Sequence, residues 1–424
     1  MKGASWLSAG NGLLIPLTMV QGILTARLLG VSRYGMLALG LTVVSVVGGL
    51  LSFRMQDFVV KWVTQLTREP TQAATAFRVG ALAEIGASLA ALAVVEATAK
   101  WTAITFARDA AMVNTLRLLG LMLIIQCGRE SMLGMMSVKR SFKQQAIVQV
   151  TAQVVALAGV TATYVTKSGL MGVVVALLAA EVVRTSLIWI LGARAAAAVL
   201  GPRWITRPWT HVGGLGRQMA RFAMFTNLGA SLGTVSKQGD LLVIGLLLNP
   251  AGAGYYRLAQ SMTQLVLFPV VPMATAAYPE ISLTVADERW ADLRRHIRQG
   301  TKLAAAWLVP LAIALSLVAS PMIRVFYGPD FTPAAPVLAI LLAGLVVDGV
   351  LYWNRGLMLA LGCPGYLARL NMVVIVLKFG LAFAFVPLAG YLPMAAAASV
   401  ASIFGNAVVT RRAMRIVRTR ETTQ

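Results

Sequence analysis

The sequence predicts an all-α polytopic membrane protein, on three observations: an apolar excess, blocks of crossing length, and no strand-like alternation. Of 424 residues, 58% are hydrophobic and only 12% charged, with mean hydropathy +0.76; soluble domains carry about a quarter charged residues. A hydrocarbon core of roughly 30 Å takes about 20 apolar residues per helical crossing. The chain divides into twelve blocks of that order: 5–26, 34–53, 73–98, 112–136, 145–166, 169–192, 222–248, 255–281, 303–320, 335–361, 366–388 and 391–410. The alternating apolar and polar residues of a transmembrane barrel are absent, so the crossings are helices that satisfy their own backbone.

Charge placement orients these crossings. The net charge of +22 would suggest nucleic acid in a soluble protein, but with Met1 in the cytoplasm the even-numbered turns and both termini collect most of the 37 Lys and Arg residues. Among them are Lys139, Arg140 and Lys143, the run from Arg289 to Lys302, and Arg411, Arg412, Arg415, Arg418 and Arg420; the other side receives few, such as Arg27, Arg33 and Lys167. The positive-inside rule then puts both termini in the cytoplasm, and a bacterial inner membrane is expected. The first apolar run lacks a small-residue cleavage site and reads as a retained helix.

A basic linker, "LGPRWITRPWTHVGGLGRQ" (Leu200–Gln218), lies between six crossings and six more. The expected organisation is an N-terminal lobe (1–200), a cytoplasmic linker acting as a hinge (201–217), and a C-terminal lobe with a basic tail (218–424). Internal repetition supports it: "LLGVSRYGMLAL" (Leu28–Leu39) aligns on "LLNPAGAGYYRL" (Leu247–Leu258), "FARD" on "YGPD", and "RESMLGMM" on "RGLMLALG", in order and at nearly constant spacing. Because six is even, the repeats run parallel, related by an axis along the membrane normal, and would leave a central cavity between two pseudo-symmetric lobes.

No catalytic constellation is present. The turns are short, His211 and His296 have no catalytic companions, Cys127 and Cys363 lie far apart in apolar helices, and Walker A, HExxH, CxxC and GxSxG patterns are missing. Neither an enzyme nor a cofactor or metal site is expected. What remains is a set of charges inside the spans, where each costs about 2.5–3.5 kcal/mol on insertion scales and usually faces a partner or water. Lys237 and Asp240 stand one turn apart in the seventh crossing, placed either to neutralise each other or to line the cavity together. Glu181 and Arg184 repeat that spacing in the sixth. Asp348 and Arg355 lie two turns apart in the tenth, and Arg129 with Glu130 holds the equivalent place in the fourth. Arg257 opens the eighth crossing after Tyr255-Tyr256, and Lys378 stands alone in the eleventh. Arg and Lys both suit phosphate oxygens. These cations, Arg129, Lys237, Arg257, Arg355 and Lys378, outnumber the deep acids and favour an anionic cargo; each also has the alternative of snorkelling or pairing with Glu84 or Glu96. Asp240, Asp348 and Glu181 are candidates for coupling or charge pairing. The segment "ADERWADLRRHIRQGTK" (Ala286–Lys302) reads as a short amphipathic helix on the cytoplasmic leaflet, and the tail as a ligand of anionic lipids.

Four stretches carry a family resemblance: "ARLLGVSRYG" (Ala26–Gly35), "GDLLVIGLLLNPAGAGYYRLAQ" (Gly239–Gln260), "YPEIS" (Tyr278–Ser282) and "VFYGPDFTPAAPVLAILLAG" (Val325–Gly344). Together they resemble the Wzx-type polysaccharide flippases of the multidrug/oligosaccharidyl-lipid/polysaccharide (MOP) superfamily. The resemblance implies two six-helix lobes around a cationic cavity with alternating access, Asp240 and Arg257 as cavity residues, and an undecaprenyl-diphosphate-linked oligosaccharide as cargo, alongside polysaccharide polymerase and export machinery. Gln21-Gly22 stands where the lipid II flippase branch places an Arg-Asp pair, and the first crossing has no acid, unlike the cation-coupled drug exporters of the superfamily. A multidrug exporter is the nearest alternative, and a polytopic glycan polymerase or glycosyltransferase the alternative from another class.

Overall fold

The computed structural model describes residues 2–52, 54–210, 215–267 and 270–422, and among them the chain is helical throughout, without a strand. Helix α1 (Lys2–Leu51) runs through both of the first two predicted crossings and turns at Gly30, φ 67° and ψ 173°. A side chain there would be strained, so the turn belongs to glycine. Helix α2 (Met55–Gln65) occupies what the sequence suggests to be a turn. Helix α3 (Pro70–Thr102) opens on proline, whose missing N–H no helix start needs, and ends in one π turn, Ala103–Ala107. The fourth predicted crossing is two helices, α4 (Met112–Ile125) and α5 (Arg129–Val138), parted at Gln126–Gly128. Helices α6 (Phe142–Thr166) and α7 (Gly169–Leu200) complete the first half.

The second half repeats the plan. Helix α8 (Leu215–Leu247) is followed by α9 (Pro250–Leu267) and α10 (Val270–Ala286), then by α11 (Trp290–Phe326) and a 3-10 turn at Pro329–Phe331. The tenth predicted crossing is again two helices, α12 (Ala334–Val350) and α13 (Asn354–Ala360), before α14 (Pro364–Ala389) and α15 (Leu392–Thr422). All twelve predicted blocks are therefore helical. Nine segments among the described residues are long and apolar enough to cross a membrane, the first of them, Gly12–Gln65, holding two predicted crossings. The seventh and eighth blocks fall outside those nine. Their helices are polar for a membrane, with Asn227, Ser231, Thr234, Lys237, Gln238 and Asp240 on α8 and Arg257, Gln260 and Thr263 on α9.

Contacts group the chain into two compact units, Met1–Leu242 and Val243–Gln424. Small residues let the helices approach, as they do where lipid supplies no hydrophobic drive. In the first unit a Cβ on Gly192 of α7 would strike Met132 of α5; in the second, one on Gly344 of α12 would sit 2.7 Å from the Ser399 Cα of α15. Most of α8 packs within the first unit. Its Asn227 Nδ2 donates to the Leu50 carbonyl at 3.1 Å, and Ser231 Oγ reaches the Gly49 and Leu50 carbonyls at 3.5 Å, so α8 satisfies carbonyls that the end of α1 leaves open.

Two expectations need correction. Residues 290–302 are the first turns of α11, not a separate helix on the leaflet: Trp290, Leu293 and Ile297 are buried with Val409, Ala413 and Val417 of α15 and Leu357 and Met358 of α13. The apolar stripe is thus spent inside the protein. The linker is not a free hinge where it is described. Arg78 of α3 donates to the carbonyls of Ile205 (3.1 Å), Arg207 (2.7 Å) and Pro208 (3.3 Å), and its guanidinium lies 4.3 Å from the Trp209 ring centre. Trp204 meets Phe77 edge-on at 5.3 Å. His211 lies outside the described residues. Each such bond contributes about 0.5–1.5 kcal/mol, so Arg78→Ala is expected to raise trypsin cleavage after Arg203 by at least about tenfold at equal protease, followed by the appearance of two half-chain fragments; Arg207 precedes Pro208 and resists trypsin.

Candidate functional site

Where a membrane helix is interrupted, its freed N–H and C=O groups have no water to turn to, and side chains must take them. Breaks at matching positions of two repeats are also where transporters build their sites. The chain breaks its fourth and tenth crossings at such positions, with Arg129, Glu181 and Arg184 at the first break and Asp348 and Arg355 on either side of the second.

In the first unit, Gly128 sits at φ 73° and begins α5. Glu84 of α3, 8% exposed, accepts from Glu130 N (2.8 Å), Ser131 N (2.9 Å) and Ser131 Oγ (2.6 Å), so a carboxylate from a neighbouring helix caps the first turn. Trp189 Nε1 of α7 donates to the Cys127 carbonyl at 3.0 Å. Arg129, at the head of α5, forms a short ion pair with Glu181 of α7 and donates to Gln126 Oε1 at 3.3 Å. Glu181 also takes Arg184 Nη1 at 3.0 Å. One buried carboxylate therefore serves two guanidinium groups.

In the second unit the break is held mostly by neutral groups. Asn354 is buried; its Nδ2 donates to Asn406 Oδ1 at 3.0 Å and its Oδ1 accepts from Thr410 at 3.1 Å. Trp353 Nε1 donates to Thr301 Oγ1 at 2.8 Å. Asp348, on α12 before the break, accepts from Asn406 Nδ2 at 2.6 Å and from Ser402 by a shorter bond.

The structure thus brings together some of the predicted residues and separates others. Arg129 and Glu181 meet, with Arg184 added. Asp348 and Arg355 do not: the interruption at Leu351–Trp353 destroys their helical register, and Arg355 is exposed, without an ion pair or hydrogen bond among the described residues. Lys237 is exposed and Asp240 buried on α8. Arg257 is half-buried on α9 and donates to Gln260 Oε1 at 3.3 Å. Lys378, 8% exposed, lies 5.3 Å from the Phe379 ring centre. Of the acids offered as partners, Glu96 pairs with Arg117 at 3.2 Å. Gln21 of the first crossing bonds Gln153 of α6 at 2.5 Å. Sequence reasoning missed the capping role of Glu84 and the stripe Ser402, Asn406, Thr410. The stripe was detectable: polar residues at intervals of four in an apolar helix mark a face turned to other polar groups.

The model of the polysaccharide biosynthesis protein family matches residues 24–336. The chain belongs to that family. Solved structures similar to this polysaccharide biosynthesis protein share its fold at low identity. An inward-facing multidrug-resistance MATE family transporter of the MOP superfamily is 14% identical, with TM-score 0.75 over 96% of this chain and 95% of that one. The lipid II flippase MurJ in an inward closed conformation is 15% identical, with TM-score 0.69 over 95% and 86%. A MOP superfamily transporter from Pyrococcus furiosus is 12% identical, with TM-score 0.65 over 98% and 94%. No curated protein sequence matches the chain. The polysaccharide biosynthesis protein is therefore a multi-pass membrane protein of transporter fold.

Removing one partner of a buried ion pair strands the other and costs about 3–5 kcal/mol. Glu181→Gln strands two, and is expected to lower the thermal unfolding temperature of the detergent-purified protein by several degrees. Adding Arg129→Gln should recover part of the loss, because one of the stranded charges is then gone.

Proposed function

We propose that this polysaccharide biosynthesis protein flips an undecaprenyl-diphosphate-linked oligosaccharide from the cytoplasmic to the outer leaflet of the bacterial inner membrane, by alternating access. The observation that carries the reading is the family match over residues 24–336 on a chain of transporter fold. Its cargo would be a lipid with a dianionic bridge. Five cations in the spans suit that chemistry, and the geometry ranks them. Arg129 is committed to Glu181, whereas among the described residues Arg355 has no acid beside it and Arg257 donates to the Gln260 side-chain amide. Arg355, Arg257, Lys237 and Lys378 are the residues we assign to the diphosphate, with Arg129 holding the α5 joint. Asp240 and Asp348, both acids within the crossings, are the candidates for a coupling ion. The distribution of Lys and Arg supports cytoplasmic termini and anionic lipids around the basic cytoplasmic rim; a place beside polymerase and export machinery is proposed from the family alone.

A second reading, export of a small cationic molecule, is favoured by the likeness to a multidrug-resistance transporter. The two readings separate in proteoliposomes. A fluorescent undecaprenyl-diphosphate glycan should become accessible to an added external glycosidase when this protein is present, and Arg257→Ala with Arg355→Ala should slow that at least about tenfold, the loss of two charge-assisted contacts of roughly 1.5–3 kcal/mol each. Equal rates with and without the two arginines would remove them from the site, and efflux of a cationic dye in place of glycan flipping would transfer the assignment to the second reading.

A further inference from the structure

We propose that Glu84 is a proton-binding site that decides whether the start of α5 is fixed to α3: charged, it holds the joint at Gly128; protonated, it lets go. The proposal is independent of the cargo. It rests on how the carboxylate is held. Among the described residues its three partners all donate to it: the amide N–H groups of Glu130 and Ser131 and the hydroxyl of Ser131. An ionised carboxylate accepts all of them, whereas a carboxylic acid must itself donate, and an amide N–H cannot receive. A proton on Oε1 displaces the Glu130 amide; one on Oε2 competes with both groups of Ser131.

The charged neighbours do not take over the role of a counter-ion. On α7, Glu181 is shared between Arg129 of α5 and Arg184. Glu130 adds a further acid on α5 itself, and the Cys127 thiol lies in the turn before it. On α2, Asp57 pairs with Arg54, and Lys61 rests over the rings of Trp62 and Phe222. On α4, Arg117 is paired with Glu96 of α3. Glu84 is thus stabilised by two amide N–H groups, which can only donate, and by one hydroxyl, which can turn to accept from the protonated acid at the expense of the Ser131 amide.

The geometry of α5 gives this carboxylate mechanical leverage. Helix α5 has only 10 residues, swings from a glycine in the left-handed region, and ends in the turn Lys139–Ser141. Its own first-turn amides have no intrahelical acceptors, so without Glu84 they are unsatisfied. The equivalent helix of the second unit, α13, is tied through Asn354, Asn406 and Thr410, amides and a hydroxyl that do not titrate. Only in the first copy does an acid bond the broken backbone directly; in the second, Asp348 reaches the joint through Asn406. The linkage follows: holding of α5 is present above the titration of Glu84 and lost as pH falls through it.

The test is hydrogen exchange of the full-length protein in neutral-lipid nanodiscs between pH 5 and 8, reading peptides over 129–138. Exchange chemistry is normalised to α6, which contains no Asp or Glu. Protection of the α5 start should fall at least about tenfold from the alkaline to the acid end, which is the loss of two amide hydrogen bonds. Glu84→Gln should be poorly protected at every pH, and Glu84→Asp should restore a pH response. Ser131→Ala keeps the acid but removes one donor to its charged form, so the midpoint should move to higher pH. A wild-type α5 with the same protection across the range, a Glu84→Gln variant that keeps wild-type protection, or an unmoved midpoint in Ser131→Ala would each overturn the assignment.

Discussion

A backbone amide without a partner in hydrocarbon costs several kcal/mol, and this constraint organises the whole structure. Uninterrupted helices obey it by themselves. Every interruption has to be repaired by side chains from elsewhere, and the repairs are the main internal use of polar residues. The open carbonyls at the end of α1 are met by Asn227 and Ser231 of α8, the first amides of α5 by Glu84, the Cys127 carbonyl by Trp189, and the linker carbonyls by Arg78. A polar residue in a span is thus first a structural patch, and becomes a functional candidate only when no broken backbone claims it.

That distinction explains what the sequence could and could not reveal. Crossing positions were legible because each needs about the same apolar length, whatever it packs against. The joint at Gly30 was half-legible: the polar residues near it suggested a turn, while the chain in fact continues as a kinked helix. The splits at Gln126–Gly128 and Leu351–Trp353 were hidden, since both stay apolar enough to read as one crossing, and only their equivalence by repetition hinted at a shared role. Among the site residues, the Glu181–Arg184 pair followed from helical spacing. The Arg129–Glu181 pair could not, because residues far apart in sequence meet there only after α5 and α7 pack through Gly192. The amphipathic pattern of 290–302 was read correctly as a pattern and wrongly as a surface, since periodicity says which face is apolar but not what covers it.

The two copies of the repeat have diverged in how they hold the same break. The first uses ions, two arginines and several acids; the second uses asparagine, serine and threonine, with Asp348 one step removed. Ions in a poorly hydrated interior are strong when complete and costly when incomplete. Divergence of this kind leaves the backbone plan intact while changing which chemical condition each copy responds to.

The pinning of the linker also bears on the order in which the molecule is assembled. Arg78 finds its carbonyls at Ile205, Arg207 and Pro208 only after the ribosome has delivered three further crossings. That contact involves no residue of α8, so it can close before α8 is made and adds its own bonds to the end of α1. Biogenesis by halves, with a single guanidinium as the clasp, would keep twelve sticky helices from having to sort themselves all at once.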